Sequence, residues 1–459
     1  MRWLAFLSPF LLSFSLQAQP LSFSDALAAM RAGDESLAAA QALEQQRMFE
    51  RRAAAGLQLP NVEGNARFNR INEPIVIDLE QARQLLLALN PQVPPGAIPA
   101  LNIGVQGEVF WRANMRVTQP IYTGGRISAA KQAADARIRD SGESRRDVEQ
   151  TLITDLVRRY YGLQLAEQVH GLRAQALSAL RQHSYVARRL FEEGQIARPE
   201  RLNAEVAEAE AERLLRAAEY DVELARTALR LLLPAAGDDI SAASPLFLVN
   251  DIGPLDAYRS AGESANPSLR RLDAQKDLAR QGVRVARSDF LPSVAAFGVR
   301  ELWEPDLTLL DPTWVVGVNI QWNFFDGGRK QNQLRAAREQ QRRVELLQSK
   351  ATRAVSTLVQ RSYQNTRKAK DLYTTLDKTL ALADENVRVR KRAFEEGFAT
   401  SLEVVNAELS RQAVELQRLA AAYDYVVALA ELLEASGQSD RFEEWRSRAD
   451  VVAARGGSE

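Results

Sequence analysis

The feature that most constrains this chain is that it contains one structural unit twice. Gly124-Gly125-Arg126 recurs as Gly327-Gly328-Arg329, and Phe191-Glu192-Glu193-Gly194 recurs as Phe394-Glu395-Glu396-Gly397, both at an offset of 203 residues. The same offset carries Tyr160 to Tyr363, Asn203-Ala204-Glu205 to Asn406-Ala407-Glu408, and Tyr220-Asp221 to Tyr423-Asp424. Upstream, Ser36-Leu37 matches Ser268-Leu269 and Leu59-Pro60 matches Leu291-Pro292 at an offset of 232. The two offsets, 232 and 203, differ by 29 residues, so the first copy holds an insertion between Pro60 and Trp111, where Ile71 to Glu108 is rich in Pro and Gly. Repetition on this scale means two copies of one supersecondary unit, not two unrelated domains.

Each copy reads as helix, strand, loop, strand, helix, turn, helix. Ser24 caps a first predicted helix that runs through Ala55, and Gly56 and Pro60 end it. Arg126 to Glu193 contains no proline, which predicts a helix of about 100 Å at about 1.5 Å per residue. Leu152, Leu156, Tyr160 and Leu163 form a coiled-coil type of seam on it, repeated by Leu372, Leu376, Leu380, Ala383 and Val387. The helices Ser24 to Ala55 and Pro199 to Leu233 together nearly equal the long one, so two short helices end to end could flank it.

Compartment follows from the first residues. Met1-Arg2, the apolar run Leu4 to Phe14 and Ser15-Leu16-Gln17-Ala18 predict a secretory signal peptide, residues 1–18, cut after Ala18. No later stretch of about 20 apolar residues offers a transmembrane helix, so a membrane role has to use β-strands. Without cysteine the exported chain has no disulfide and no thiol for a lipid anchor, so it is expected not to be lipidated. Its 59 basic and 59 acidic residues balance, which gives no reason to expect a nucleic acid partner.

The strands alternate with a period of two. Trp314, Val316, Val318, Ile320, Trp322 and Phe324 share one face, and Gly317, Asn319, Gln321 and Asn323 the other. Trp111, Ala113, Met115 and Val117 alternate with Arg112, Asn114, Arg116 and Thr118, and Val62, Gly64, Ala66 and Phe68 with Glu63, Asn65, Arg67 and Asn69. The strand Ser293 to Leu302 is less clean, because Arg300 falls on its apolar face. An apolar face with aromatic ends suits a lipid-facing strand. Four strands cannot close a barrel, and an open edge in lipid leaves backbone groups unsatisfied, so the pattern calls for oligomerisation: two chains give eight strands, three give twelve.

The chain resembles the TolC-like outer membrane efflux protein family over nearly its whole mature length. The resemblance is carried by Phe23-Ser24-Asp25-Ala26-Leu27, by Asn266-Pro267-Ser268-Leu269, by Gln119-Pro120-Ile121-Tyr122-Thr123-Gly124-Gly125-Arg126, by Phe324-Phe325-Asp326-Gly327-Gly328-Arg329 and by the two Phe-Glu-Glu-Gly turns. It implies an α+β membrane protein: a homotrimeric, 12-stranded outer membrane β-barrel, four strands per chain, continuous with a periplasmic 12-helix α-barrel and girdled by a mixed equatorial belt. The expected organisation is a first repeat over 19–233 (strand hairpin 61–122, helical hairpin 126–233) and an equatorial linker over 234–265. A second repeat follows over 266–436 (strand hairpin 293–325, helical hairpin 329–436), then an equatorial tail over 437–459. The implied function is a passive exit channel in the outer membrane of a Gram-negative bacterium. It would work with a periplasmic adaptor (a membrane fusion protein) and an inner-membrane pump of RND or ABC type. A type I protein secretion channel is the related alternative, and a soluble periplasmic helical scaffold or adaptor the rival from another class.

No nucleophile, base and orienting group can be assembled, so no enzyme and no cofactor are expected. The Gly-Gly-Arg pairs lack the full phosphate-loop pattern and read as turns in which glycines let a strand become a helix: Gly124, Gly125 and Arg126, and Gly327, Gly328 and Arg329. His170 and His183, thirteen apart with no cysteine near, read as surface or seam positions and not metal ligands. By resemblance, the helical turns Phe191, Glu192, Glu193, Gly194 and Phe394, Glu395, Glu396, Gly397 form the periplasmic entrance and adaptor contact. With Glu200 and Glu403 they crowd six acids per chain at the tips, a ring that would favour cations.

The family's acidic constriction falls on Glu403, with Asn406 one turn later; its entrance-closing tyrosine and arginine fall on Phe394 and Ala399, which cannot make those bonds. Glu200 matches the acidic partner, with Arg198 near enough in sequence to offer it a charge. In the insertion, Asp78 to Leu89 predicts a capped helix bearing Leu79, Leu85, Leu86 and Leu89, expected over or beside the outer mouth.

Overall fold

The computed structural model describes residues 19–100, 102–233, 237, 239–308 and 311–453; the expected signal peptide, residues 1–18, lies outside them. The first copy runs β1 (Gln19–Leu21), α1 (Phe23–Gly33), α2 (Glu35–Gly56), β2 (Asn61–Arg70), β3 (Ile75–Asp78), α3 (Glu80–Leu89), β4 (Asn102–Gln106), β5 (Val109–Tyr122), α4 (Arg126–Glu192) and α5 (Arg198–Arg230). After β6 (Ile240–Ala242) and β7 (Leu246–Leu248) come α6 (Leu255–Ala265), α7 (Pro267–Ser288), β8 (Ser293–Glu301), β9 (Trp314–Gln321), α8 (Arg329–Glu395) and α9 (Ser401–Ala435). The last described elements are α10 (Phe442–Ser447) and β10 (Val451–Ala453).

The elements repeat with the register of the sequence. Helices α1 and α2 reappear as α6 and α7 at 232 residues, and α4 reappears as α8 at 203, each with the same length. Single contacts repeat as well. The Tyr160 hydroxyl donates to the Leu21 carbonyl at 2.6 Å, and the Tyr363 hydroxyl to the Gly253 carbonyl at 2.9 Å. The predicted helix Ser24 to Ala55 is in fact two helices. Asp34 leaves the helical region (φ −75, ψ 123), and its carboxylate accepts the Leu37 N–H at 2.9 Å, starting α2. Asn266 does the same for Leu269 at 3.3 Å. A short polar side chain that satisfies an orphan N–H of the next helix outweighs the apolar periodicity running through it.

The described residues form two compact units: those up to 44, in 140–273 and from 346 make one, and those in 45–139 and 274–345 the other. In the helical unit the core is aromatic. Phe23, Tyr160, Tyr161, Phe247 and Phe442 meet with ring centroids 5.0–6.2 Å apart, mostly edge to face. Two short ladders border this core, β1 with β6 in parallel and β7 with β10 antiparallel.

The strand-bearing unit holds one antiparallel sheet of order β2-β5-β8-β9 and a separate β3–β4 hairpin from the insertion. Register follows the predicted faces: Phe68 opposes Trp111, with centroids 5.2 Å apart, Ala66 opposes Ala113 and Val62 opposes Val117. Val316, Val318 and Ile320 are each at least 60% exposed, so the apolar face is bare along its length. Arg300 stands on that face opposite Trp314 and Met115, and reaches Glu304 at 3.3 Å. Strand β9 ends at Gln321, short of the predicted Phe325, because the chain turns there: the Trp322 indole donates to the Phe290 carbonyl at 3.2 Å and Lys330 to that of Asn323. The insertion helix starts at Glu80, whose N–H is accepted by Asp78 at 2.8 Å, and leaves Leu85, Leu86 and Leu89 exposed. Among the described residues no helix is long and apolar enough to cross a membrane.

Candidate functional site

Two sets of residues carry the functional expectations. At the strand-to-helix turns, Gly124 and Gly125 have φ of 61 and 86, and Gly327 and Gly328 of 69 and 87, the left-handed region that glycine enters without penalty. Gly124 is also confined: a Cβ there would lie 3.0 Å from the Ser288 carbonyl oxygen and from Leu291. The arginines that follow fasten the turns, Arg126 pairing with Asp289, and Arg329 with Asp326 at 3.4 Å.

At the helical tips the two Phe-Glu-Glu-Gly segments fold into the same turn. Gly194 (φ 74) donates to the Phe191 carbonyl and Gly397 (φ 81) to that of Phe394, both at 3.0 Å. Glu192, Glu193, Glu395 and Glu396 are exposed. Glu193 nonetheless pairs with Arg189 at 3.5 Å and accepts from Gln195 at 3.1 Å, and the other two acids are engaged as well. Glu403 closes a capping box with Thr400 and accepts from Arg390 at 3.0 Å. The Glu200 carboxylate accepts the Ser401 N–H at 2.7 Å, so the first helical hairpin caps α9 of the second, and Arg198 is not its partner. Asn406 is exposed on α9.

Phe394 and Ala399, unable to bond, instead enter an apolar cluster with Ala187, Ala204 and Val404. His183 stands against the Phe394 ring, centroids 4.8 Å apart, with Nε2 2.8 Å from the Ser401 hydroxyl. Its side chain is 6% exposed, and burial, reinforced by the Lys391 charge, lowers its pKa to about 4, against the opposing pull of Glu408. His183, Ser401 and Glu200 thus tie α4, α5 and α9 together by direct bonds. Lys391 pairs with the nearly buried Glu408 at 2.5 Å, joining α8 to α9. An open cavity of about 510 Å³ beside them is lined by Ser178, Gln182, His183, Val186, Lys391 and Phe394.

His183, expected on the surface or in a seam, meets Ser401, 218 residues away, a pairing no spacing in the sequence indicates. The available signal was that Phe394 and Ala399 leave the tip without its expected polar links. His170 lies elsewhere on α4, 4.0 Å from Glu219. Among the described residues no group of three or more His, Cys, Asp or Glu is placed to hold a metal ion.

The chain matches the family model described as outer membrane efflux protein over residues 26–234 and 260–438. It is 25% identical over 394 residues to the outer membrane efflux protein BepC of Brucella suis biovar 1, covering 82% of this chain and 83% of that one. It is 24% identical over 338 residues to the alkaline protease secretion protein AprF of Pseudomonas aeruginosa, covering 72% and 70%. Its fold is similar to that of CusC, whose structures concern folding and transmembrane channel formation, with a TM-score of 0.74 at 15% identity over 90% of this chain and 92% of that one. With both family segments spanning the two repeats, the chain belongs to the outer membrane efflux protein family, the TolC-like channels.

Proposed function

We propose that three copies of this chain assemble into an outer membrane exit duct that conducts substrates passively from a periplasmic adaptor and an inner-membrane pump to the exterior. The observation that carries the reading is the open sheet: four antiparallel strands with one bare apolar face and two edges, β2 and β9, that are unpaired among the described residues. In lipid those edges need partners, and the β9 edge of one copy against the β2 edge of the next supplies them. Three copies make a 12-stranded barrel, wide enough for an open lumen, where two would make a barrel of the narrowest class. Exposed apolar residues at heptad spacing, Leu224 on α5 with Leu231 at its C-cap, and Leu382 and Val389 on α8, suit helix packing between copies.

The tips are the entrance and the adaptor contact. Glu192, Glu193, Glu395 and Glu396 project into solvent and give the mouth a negative potential, while Glu200 and Glu403 serve mainly to fix the turns. Efflux is the primary reading. The likeness to AprF, named for protease secretion, supports type I secretion as the second. Planar-bilayer recording of the detergent-purified protein tests the proposal. Cation-selective steps, with selectivity reduced by Glu395→Gln and Glu396→Gln together, are expected; a monomer soluble without detergent that passes no current overturns it.

A further inference from the structure

The external insertion and the β8–β9 loop meet at one side chain. Arg112 stands on the polar face of β5, and its Nη2 donates to the Asp311 carboxylate of the β8–β9 loop at 2.5 Å and to the Gln106 side-chain carbonyl at the end of β4 at 3.2 Å. Gln106 is buried although it belongs to a loop hairpin. Asp311 is held in turn by the Thr308 N–H at 3.0 Å and hydroxyl at 2.8 Å, and these donors, the backbone N–H foremost, keep its carboxyl below the usual aspartate range. The same loop is stitched to β5 where β8 has ended: Leu302 N–H donates to the Ala113 carbonyl at 2.7 Å, and Trp111 N–H to Asp306 at 2.7 Å.

An arginine is not placed here for strand pairing. Arg67 lies directly opposite it on β2, and like charges opposed across a strand pair repel. The Asp311 carboxylate offsets that repulsion, and the planar guanidinium reaches acceptors from two loops at once, which an ammonium does less well. Because Arg112 lies on the polar face, the loops it gathers are drawn towards that face and away from the apolar one.

We propose that Arg112 is a positioning residue that clamps both external loops of each copy over the polar face of the sheet and so sets the aperture of the exit. This rests on the channel reading, in which the polar face lines the lumen. Three copies bring three such clamps to one mouth, and the bore open to bulky cargo is then set by loops and not by the barrel wall.

The chain has no cysteine, so Asn65→Cys, on the same face of β2 and two rungs from the Arg67–Arg112 pair, supplies a single reporter thiol. Intact cells carrying it are treated from outside with a small, membrane-impermeant thiosulfonate and with maleimides on polymers of increasing mass. The small reagent is expected to react in every variant; the bulky ones are expected to react severalfold faster after Arg112→Ala, less so after Arg112→Lys, and partially faster after Asp311→Asn or Gln106→Ala. Those two single-loop variants carry the test if Arg112→Ala does not reach the membrane. Arg116→Ala removes an equal charge from the same face without touching either loop and is expected to change nothing. Equal rates in all variants, or an Arg116→Ala effect as large as that of Arg112→Ala, overturn the clamp and leave the channel standing. Failure of even the small reagent in every variant overturns the channel reading itself.

Discussion

The two helical tips have the same four residues and the same backbone, yet they are different devices. In the first, Phe191 stays partly exposed under the Arg201 guanidinium, 4.8 Å from its ring centroid, and α5 starts after Ala197 with no side-chain cap. In the second, Phe394 is 3% exposed in an apolar cluster against His183, and α9 starts with a full capping box. Duplication has kept the fold of the turn and reassigned its side chains. The second tip is built into the packing of the helical hairpins, and the first is laid against its surface.

The sharpest way to break this contrast is to truncate both phenylalanines. Phe394→Ala should cost about 3–5 kcal/mol of local stability, as expected for a fully buried aromatic, whereas Phe191→Ala should cost no more than about 1 kcal/mol. Hydrogen exchange of the tip amides reads both. Equal losses would mean that the tips pack alike.

Acidification should act on the second tip. His183 titrates at about 4 in the folded chain and at about 6.5 when unfolded, so between these values the unfolded state binds the extra proton. Its stabilising contribution is present above pH 6.5 and is lost as pH falls towards 4, by up to roughly 3 kcal/mol per chain. Tip protection in wild type should fall across that window, and His183→Gln should flatten the profile there. A profile that His183→Gln leaves unaltered contradicts the buried, neutral imidazole.

Smaller effects should separate backbone from side chains. Gly194→Ala and Gly397→Ala face the same left-handed strain in open space, and each should cost about 1–2 kcal/mol, equal within error in thermal melts. Thr400→Ala should cost about 1 kcal/mol, while Ala197→Ser should gain a similar or smaller amount by providing the cap that α5 lacks. Unequal glycine costs would show that the shared turn is itself strained differently in the two copies.

Much of this fold could be read from repetition and periodicity. The offsets of 232 and 203 mark where helices recur, and the alternation from Trp314 to Gln321 and from Trp111 to Val117 gives the faces of the sheet. What escaped was settled by contacts between distant segments or by local bonds that override a period. The break at Asp34 is a cap hidden inside a helical pattern. Glu200 capping Ser401, His183 meeting Ser401, and Arg112 meeting Asp311 each join residues far apart in sequence, for which a single chain offers no pattern. Of the acids expected at the mouth, the pairs following each phenylalanine are exposed, and Glu200 and Glu403 are drawn into internal bonds.

On the proposed assembly the open sheet closes only between copies. The chain contains no cysteine, so a panel of cysteine pairs, one on β2 and one on β9, can be oxidised in native membranes and resolved on a denaturing gel. For the correctly registered pairs, covalent ladders that end at three chains and vanish on reduction are expected. Ladders that end at two, or chains that stay monomeric with every pair, would contradict that assembly.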